Sequence, residues 1–117
     1  MGLFEDLKEL GVNIDEGLER LGGNQSLYER LLGSFLKTMD THRIEPDFDT
    51  SDLAGAIEKT HAIKGTSGNL SLTPIYEAYT EIVALLRADQ PEQAKEVLEG
   101  VLPIQEKIID CIKRYSE

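Results

Sequence analysis

The chain has a single cysteine and no tryptophan among its 117 residues. With Cys111 alone, no intramolecular disulfide forms and no cysteine-based metal cluster can be assembled. No run approaches the roughly 20 apolar residues of a membrane-spanning helix. Residues 2–11 are interrupted by Glu5, Asp6, Lys8 and Glu9, so they do not read as a signal peptide. Positive charge is scarce: 12 Lys and Arg stand against 22 Asp and Glu, a formal net charge of −10. That balance opposes nucleic acid, whose phosphates require a basic surface, and it opposes anionic membranes. The expectation is a cytoplasmic protein with no nucleic-acid or membrane partner. Phosphate-cradling loops are absent too, with no GxxxxGK[ST] and no GxGxxG after a strand. The chain is therefore expected to bind no ATP and to have no kinase activity of its own. No segment alternates with period two for long enough to be a strand.

What is present is helical spacing. At 117 residues, 40% hydrophobic and 29% charged, the chain suits one globular domain over residues 1–117. Leu3, Phe4, Leu7 and Leu10 predict a short helix closed by Gly11. Asn13 or Asp15 is placed to cap a second short one bearing Ile14, Leu18 and Leu21, which Gly22-Gly23 ends. Asn24 is a good cap for a helix from Gln25 to about Arg43, with a wide stripe of Leu27, Tyr28, Leu31, Leu32, Phe35, Leu36 and Met39. Residues 45–49 form a loop around Pro46. Thr50 or Ser51 is expected to cap the next helix, roughly Ser51 to Leu70, with Asp52 favouring its positive end. A turn through Thr73-Pro74 leads to Ile75, Tyr79, Ile82, Val83 and Leu86, a helix ending near Ala88. From Pro91 the residues Val97, Val101, Ile104, Ile108, Cys111 and Tyr115 keep one phase straight through Pro103, which predicts one long helix, kinked there. The sum is an all-α fold, an antiparallel four-helix bundle with a short additional N-terminal helix. Its faces show no excess apolar stripe, so a monomer is expected.

The most informative stretch is Thr60-His61-Ala62-Ile63-Lys64-Gly65-Thr66-Ser67-Gly68-Asn69-Leu70. Leu53, Ala56, Ile57, Ile63 and Leu70 share a helix face with Thr60 and Ser67, and His61 points away from it. Gly65 and Gly68, at i+4 and i+7, lie on the His61 side. Glycine within a helix costs about 0.5–1 kcal/mol relative to alanine, so two beside one histidine ask for a reason. Access is the simplest: the imidazole stands in a notch, and an alanine at either position should still fit the backbone. Lys64, at i+3, is placed to bring its ammonium beside whatever the ring carries. Glu58, at i−3, is either an orienting partner for the other ring nitrogen or a solvated carboxylate. His42, the other histidine, reads as a solvated surface residue at a fraying helix end. Neither histidine has a second one nearby for metal binding.

His61-x-x-Lys64-Gly65-x-x-Gly68 resembles the phosphoacceptor helix of histidine phosphotransfer (HPt) domains, the shuttles of multistep phosphorelays. Gly17-Leu18-Glu19-Arg20-Leu21-Gly22-Gly23-Asn24, with Leu27-Tyr28 and Leu31-Leu32-x-x-Phe35-Leu36, resembles the segment leading into their first long helix. The resemblance covers about residues 11–115. It departs at Ser71, where many members carry another glycine, and at Thr73-Pro74. It implies that His61 accepts a phosphoryl group from an aspartyl phosphate and returns it to another aspartate. Lys64 would stabilise the phosphoryl charge, and Gly65 and Gly68 would give the partner access. Neutral imidazole is a good nucleophile near pH 7, its ordinary pKa being about 6.5. The partners implied are response-regulator receiver domains, which bring their own acidic pocket and Mg²⁺, and a hybrid sensor histidine kinase. The chain itself would hold no cofactor and no metal, and would be a carrier rather than an enzyme.

Three other readings compete. A phosphoacceptor module of a chemotaxis-type kinase uses a similar helix, but nothing here encodes the kinase domains. A helical adaptor explains the helices but not the glycines beside His61. A hydrolase with His61 as base needs a nucleophile or metal and a pocket, which the spacing does not suggest.

Overall fold

Periodic apolar residues and polar caps set the elements, much as the sequence implies. The computed structural model describes residues 2–116, which hold six α-helices and no strand. Two short helices, α1 (Leu3–Glu9) and α2 (Ile14–Arg20), precede α3 (Gln25–His42), α4 (Leu53–Asn69), α5 (Thr73–Arg87) and α6 (Pro91–Ser116). Asn13 caps α2 by accepting from the Glu16 amide, and Asn24 caps α3 by accepting from the Leu27 amide. Both satisfy amides that a helix leaves without partners in its first turn.

The cap of α4 is not Thr50 or Ser51. Asp52 holds that place, its carboxylate accepting from the Gly55 amide at 3.0 Å. Ser51 is already committed, since its amide and hydroxyl both donate to the Asp49 carboxylate at 2.8 and 2.6 Å. Those bonds close a local turn just before the helix and hold the Asp49 carboxyl below its ordinary pKa.

The core is one contiguous cluster. Tyr28, Leu32, Phe35 and Met39 of α3 join Ala56 and Ile63 of α4, Ile75, Tyr79, Ile82 and Leu86 of α5, and Leu98, Ile108 and Ile112 of α6. Consecutive long helices are neighbours, and α6 also touches α3 and α1. The 26 residues of α6 run unbroken through Pro103. At 1.5 Å per residue they span about 39 Å, nearly the 43 Å long axis of the protein.

Because α6 faces three helices, its inner side is not the single stripe expected. Ala94, Leu98, Gln105, Ile108 and Ile112 are fully enclosed, Val97 and Ile104 are half-buried, and Tyr115 is exposed with its hydroxyl on Asp6. Buried Gln105 is satisfied: the Tyr79 hydroxyl donates to its Oε1 at 2.6 Å, and its Nε2 donates to Glu106. Glu106 in turn takes both terminal nitrogens of Arg43, which follows α3, at 3.2 Å each. Among the described residues, no helix is long and apolar enough to cross a membrane.

Candidate functional site

The site begins with how α4 buries its inner face. Ala56, Thr60, Ile63 and Ser67 turn inward at i, i+4, i+7 and i+11. Two are polar, yet neither leaves a hydroxyl unsatisfied: Thr60 donates to the Ala56 carbonyl at 2.8 Å and Ser67 to that of Lys64 at 3.1 Å. Local bonds of this kind let small hydroxyl residues sit in a helix interface. With Thr60 inward, His61 lies about 100° further round the helix and is exposed.

An open groove of about 600 Å³ runs along this outer side, bounded by α2, α4 and the start of α5. His61, Lys64, Gly65, Gly68, Arg20 and Tyr76 all line it. The structure thus brings together His61, Lys64 and both glycines, as the sequence places them. Glu58 is exposed outside the groove, and among the described residues no hydrogen bond joins it to His61. Nor do any three His, Cys, Asp or Glu side chains of those residues converge as metal ligands. His42 is half-buried rather than solvated, its Nδ1 lying 2.7 Å from Thr41 Oγ1 and 3.2 Å from the Thr38 carbonyl.

The two glycines prove to have different surroundings. A Cβ at Gly65 would meet nothing within 4 Å, so the backbone one turn beyond His61 is open. At Gly68 a Cβ would lie 2.8 Å from both Cδ1 and Cε1 of Tyr76. An alanine there does not fit unless the ring moves. The space above Gly68 belongs to an aromatic side chain of α5.

Beyond Gly68, α4 ends in an arrangement that the sequence did not announce. The Leu72 amide donates to the Ser67 carbonyl at 2.9 Å and the Ser71 amide to that of Gly68 at 3.2 Å. This is the Schellman pattern, in which the residue after the cap turns left-handed. Ser71 is that residue, at φ 55°. Glycine is the usual occupant, because a Cβ is disfavoured in this conformation. Here a serine is held in place by its side chain: Oγ donates to Glu16 at 2.7 Å and accepts from Arg20 at 2.8 Å.

Arg20 does more at this end. The same terminal nitrogen donates to the carbonyls of Gly68 (3.2 Å) and Asn69 (3.1 Å), while the other donates to Glu16 at 2.9 Å. A cation at the carbonyl end of a helix opposes its partial negative charge. The Leu70 carbonyl is taken by the buried Tyr28 hydroxyl at 2.5 Å, and burial pushes that phenol's pKa up to about 12. Gly17 is required beside it, since a Cβ there would stand 2.7 Å from the Tyr28 oxygen. The Glu16 carboxyl is held below its ordinary pKa, first by the Ser71 hydroxyl and then by Arg20.

Arg20, Ser71 and Tyr76 are thus the site-forming residues that spacing missed, because their partners on α4 and α2 are distant in sequence. Two signals were available: the Gly17–Asn24 segment, which contains Arg20, and the serine at position 71 where the resemblance leads one to expect glycine. No family model, curated protein or solved structure matches this chain. Chemically, the groove offers an accessible imidazole, a nearby ammonium, and open backbone where a second molecule can approach.

Proposed function

We propose that this chain is a histidine-containing phosphotransfer protein that relays a phosphoryl group between receiver-domain aspartates through His61. The observation that carries the reading is the exposed imidazole beside the open backbone of Gly65, with Lys64 in the same groove. A ring nitrogen of neutral His61 attacks the phosphorus of an aspartyl phosphate. A P–N bond forms, the P–O bond to the aspartate breaks, and its carboxylate leaves with the electron pair. The reverse step, onto a second receiver, regenerates His61.

Such transfer needs positioning and charge stabilisation more than covalent help. That fits an open groove that His61 shares with the cations Lys64 and Arg20. Lys64 faces the phosphoryl oxygens, and Gly65 leaves room for the partner's acidic pocket and the Mg²⁺ it brings. The fold that goes with this role is an antiparallel four-helix bundle, and the ring of neighbours α3, α4, α5 and α6 supports it. The chain acts as a cytoplasmic monomeric carrier, without kinase activity, between a hybrid sensor histidine kinase and response regulators.

The test is incubation with aspartyl-phosphorylated receiver domains. Label should move to the chain in a form lost in acid and stable in alkali, as a phosphoramidate is. Transferred label stable in acid, or no transfer from any receiver of the source organism, contradicts the reading.

A further inference from the structure

Four tyrosines occur in the chain, and three spend their hydroxyls within it. Tyr28 donates to the Leu70 carbonyl, Tyr79 to Gln105, and Tyr115 to Asp6. Among the described residues Tyr76 has no such bond, and it stays 39% exposed at the edge of the His61 groove. Its ring lies against the bare backbone of Gly68, where any other residue would displace it. The glycine is therefore a seat for the ring, which stays partly exposed at the protein surface.

Helix geometry fixes how near this is to the reacting group. Gly68 is seven residues beyond His61, a rise of about 10.5 Å. A typical protein–protein interface covers about 800 Å² per partner, a disc with a radius of roughly 16 Å. A receiver centred on His61 therefore covers the Tyr76 ring. Lys64, in the same groove, complements the anionic aspartyl phosphate that such a partner presents. Tyrosine is, with tryptophan and arginine, among the side chains enriched at interface hot spots.

We propose that Tyr76, seated on Gly68, is the aromatic anchor that docks the receiver domain over His61. It is a binding and specificity residue and takes no part in the transfer itself. The inference rests on the phosphotransfer reading of His61, and one experiment separates the two. The full chain is labelled by phosphoramidate, a small donor that needs no docking, and by the aspartyl-phosphorylated receiver that serves wild type best.

Tyr76→Ala should raise KM for the receiver by about fivefold or more, the loss expected of an interface anchor. Both kcat and the phosphoramidate rate should change by less than about twofold. Gly68→Ala, which displaces the ring, should raise the same KM, and Tyr76→Phe should recover part of the loss by restoring the ring. An unchanged KM in Tyr76→Ala overturns the anchor. So does an equal loss with both donors, which marks a structural role, and so does labelling by phosphoramidate with no receiver able to serve. If phosphoramidate leaves His61 unlabelled in wild type, the phosphotransfer reading itself fails, and the anchor with it.

Discussion

The Arg20 guanidinium donates to Ser71 Oγ at 2.8 Å across 51 residues of sequence, and Ser71 stands at φ 55°. A side-chain clasp thus holds a serine in a conformation that suits glycine, at the end of the helix that carries His61. Two opposing quantities follow. The left-handed conformation costs a non-glycine residue about 1–2 kcal/mol, while each hydrogen bond returns about 1 kcal/mol. Ser71→Ala keeps the cost and loses the bonds, so it should destabilise by about 1–2 kcal/mol. Ser71→Gly loses both and should be within about 1 kcal/mol of wild type. Urea unfolding of both variants beside wild type checks this: Ser71→Ala as stable as wild type would show that the clasp is idle, and equal stabilities of the two variants would show that the left-handed conformation costs nothing.

The same clasp gives stability a pH dependence. The Glu16 carboxyl is held below its ordinary value of 4.5 by Ser71 and Arg20. A depressed folded-state pKa contributes stability that is present above the unfolded value and lost as pH falls through the folded one. Glu16→Gln should therefore melt below wild type at pH 7, and the gap should close at acid pH, below 4.5. Because Glu16 is exposed, the gap is small. A difference between the two proteins that stays constant from pH 7 to pH 3 would refute the linkage.

The glycines beside His61 should respond in opposite ways. Gly65 has open space where a Cβ would go, so Gly65→Ala should stabilise by up to about 1 kcal/mol through helix propensity. Gly65→Gln should keep the melting temperature yet slow transfer from a receiver, since its side chain stands beside the imidazole. Gly68→Ala must push the Tyr76 ring aside, and that strain should cancel or exceed the propensity gain. Thermal unfolding of the alanine pair decides it. Equal stabilisation at both positions would remove the Tyr76 seat from the account.

How much of this was legible depended on range. Helices and their inner faces appear in spacings of three and four residues, so α3 and α5 could be read directly, and α6 could be followed through Pro103. Caps at Asn13 and Asn24 were visible because a cap reaches only two or three residues. The α4 cap was misread because Asp49 had already claimed Ser51, a competition between neighbours that composition does not rank. Gly68 looked like an access glycine because the sequence shows only the missing side chain, and Tyr76, which fills the space, comes from the next helix. Arg20 and Ser71 were out of reach for the same reason. Ser71 had registered only as a departure from an expected glycine, and its φ of 55° now explains that glycine physically.

Lys64 should tune transfer without being indispensable. It is half-buried at the groove, one turn from His61. An ammonium of this kind contributes about 1 kcal/mol or somewhat more, and about 1.4 kcal/mol corresponds to a tenfold rate change. Lys64→Ala should slow transfer by about five- to thirtyfold and leave stability nearly unchanged. Identical transfer rates for variant and wild type would make Lys64 a solvated side chain and no more.

The most direct measurement is to map the phosphoryl group. Wild type, His61→Gln and His42→Gln are treated with phosphoramidate, and the labelled position is located by mass spectrometry at alkaline pH. Label should sit on His61 in wild type, persist in His42→Gln, and vanish in His61→Gln while that variant keeps wild-type helicity and melting temperature. Label on His42, or labelling of His61→Gln at the wild-type level, would contradict the assignment of His61 as the phosphoacceptor.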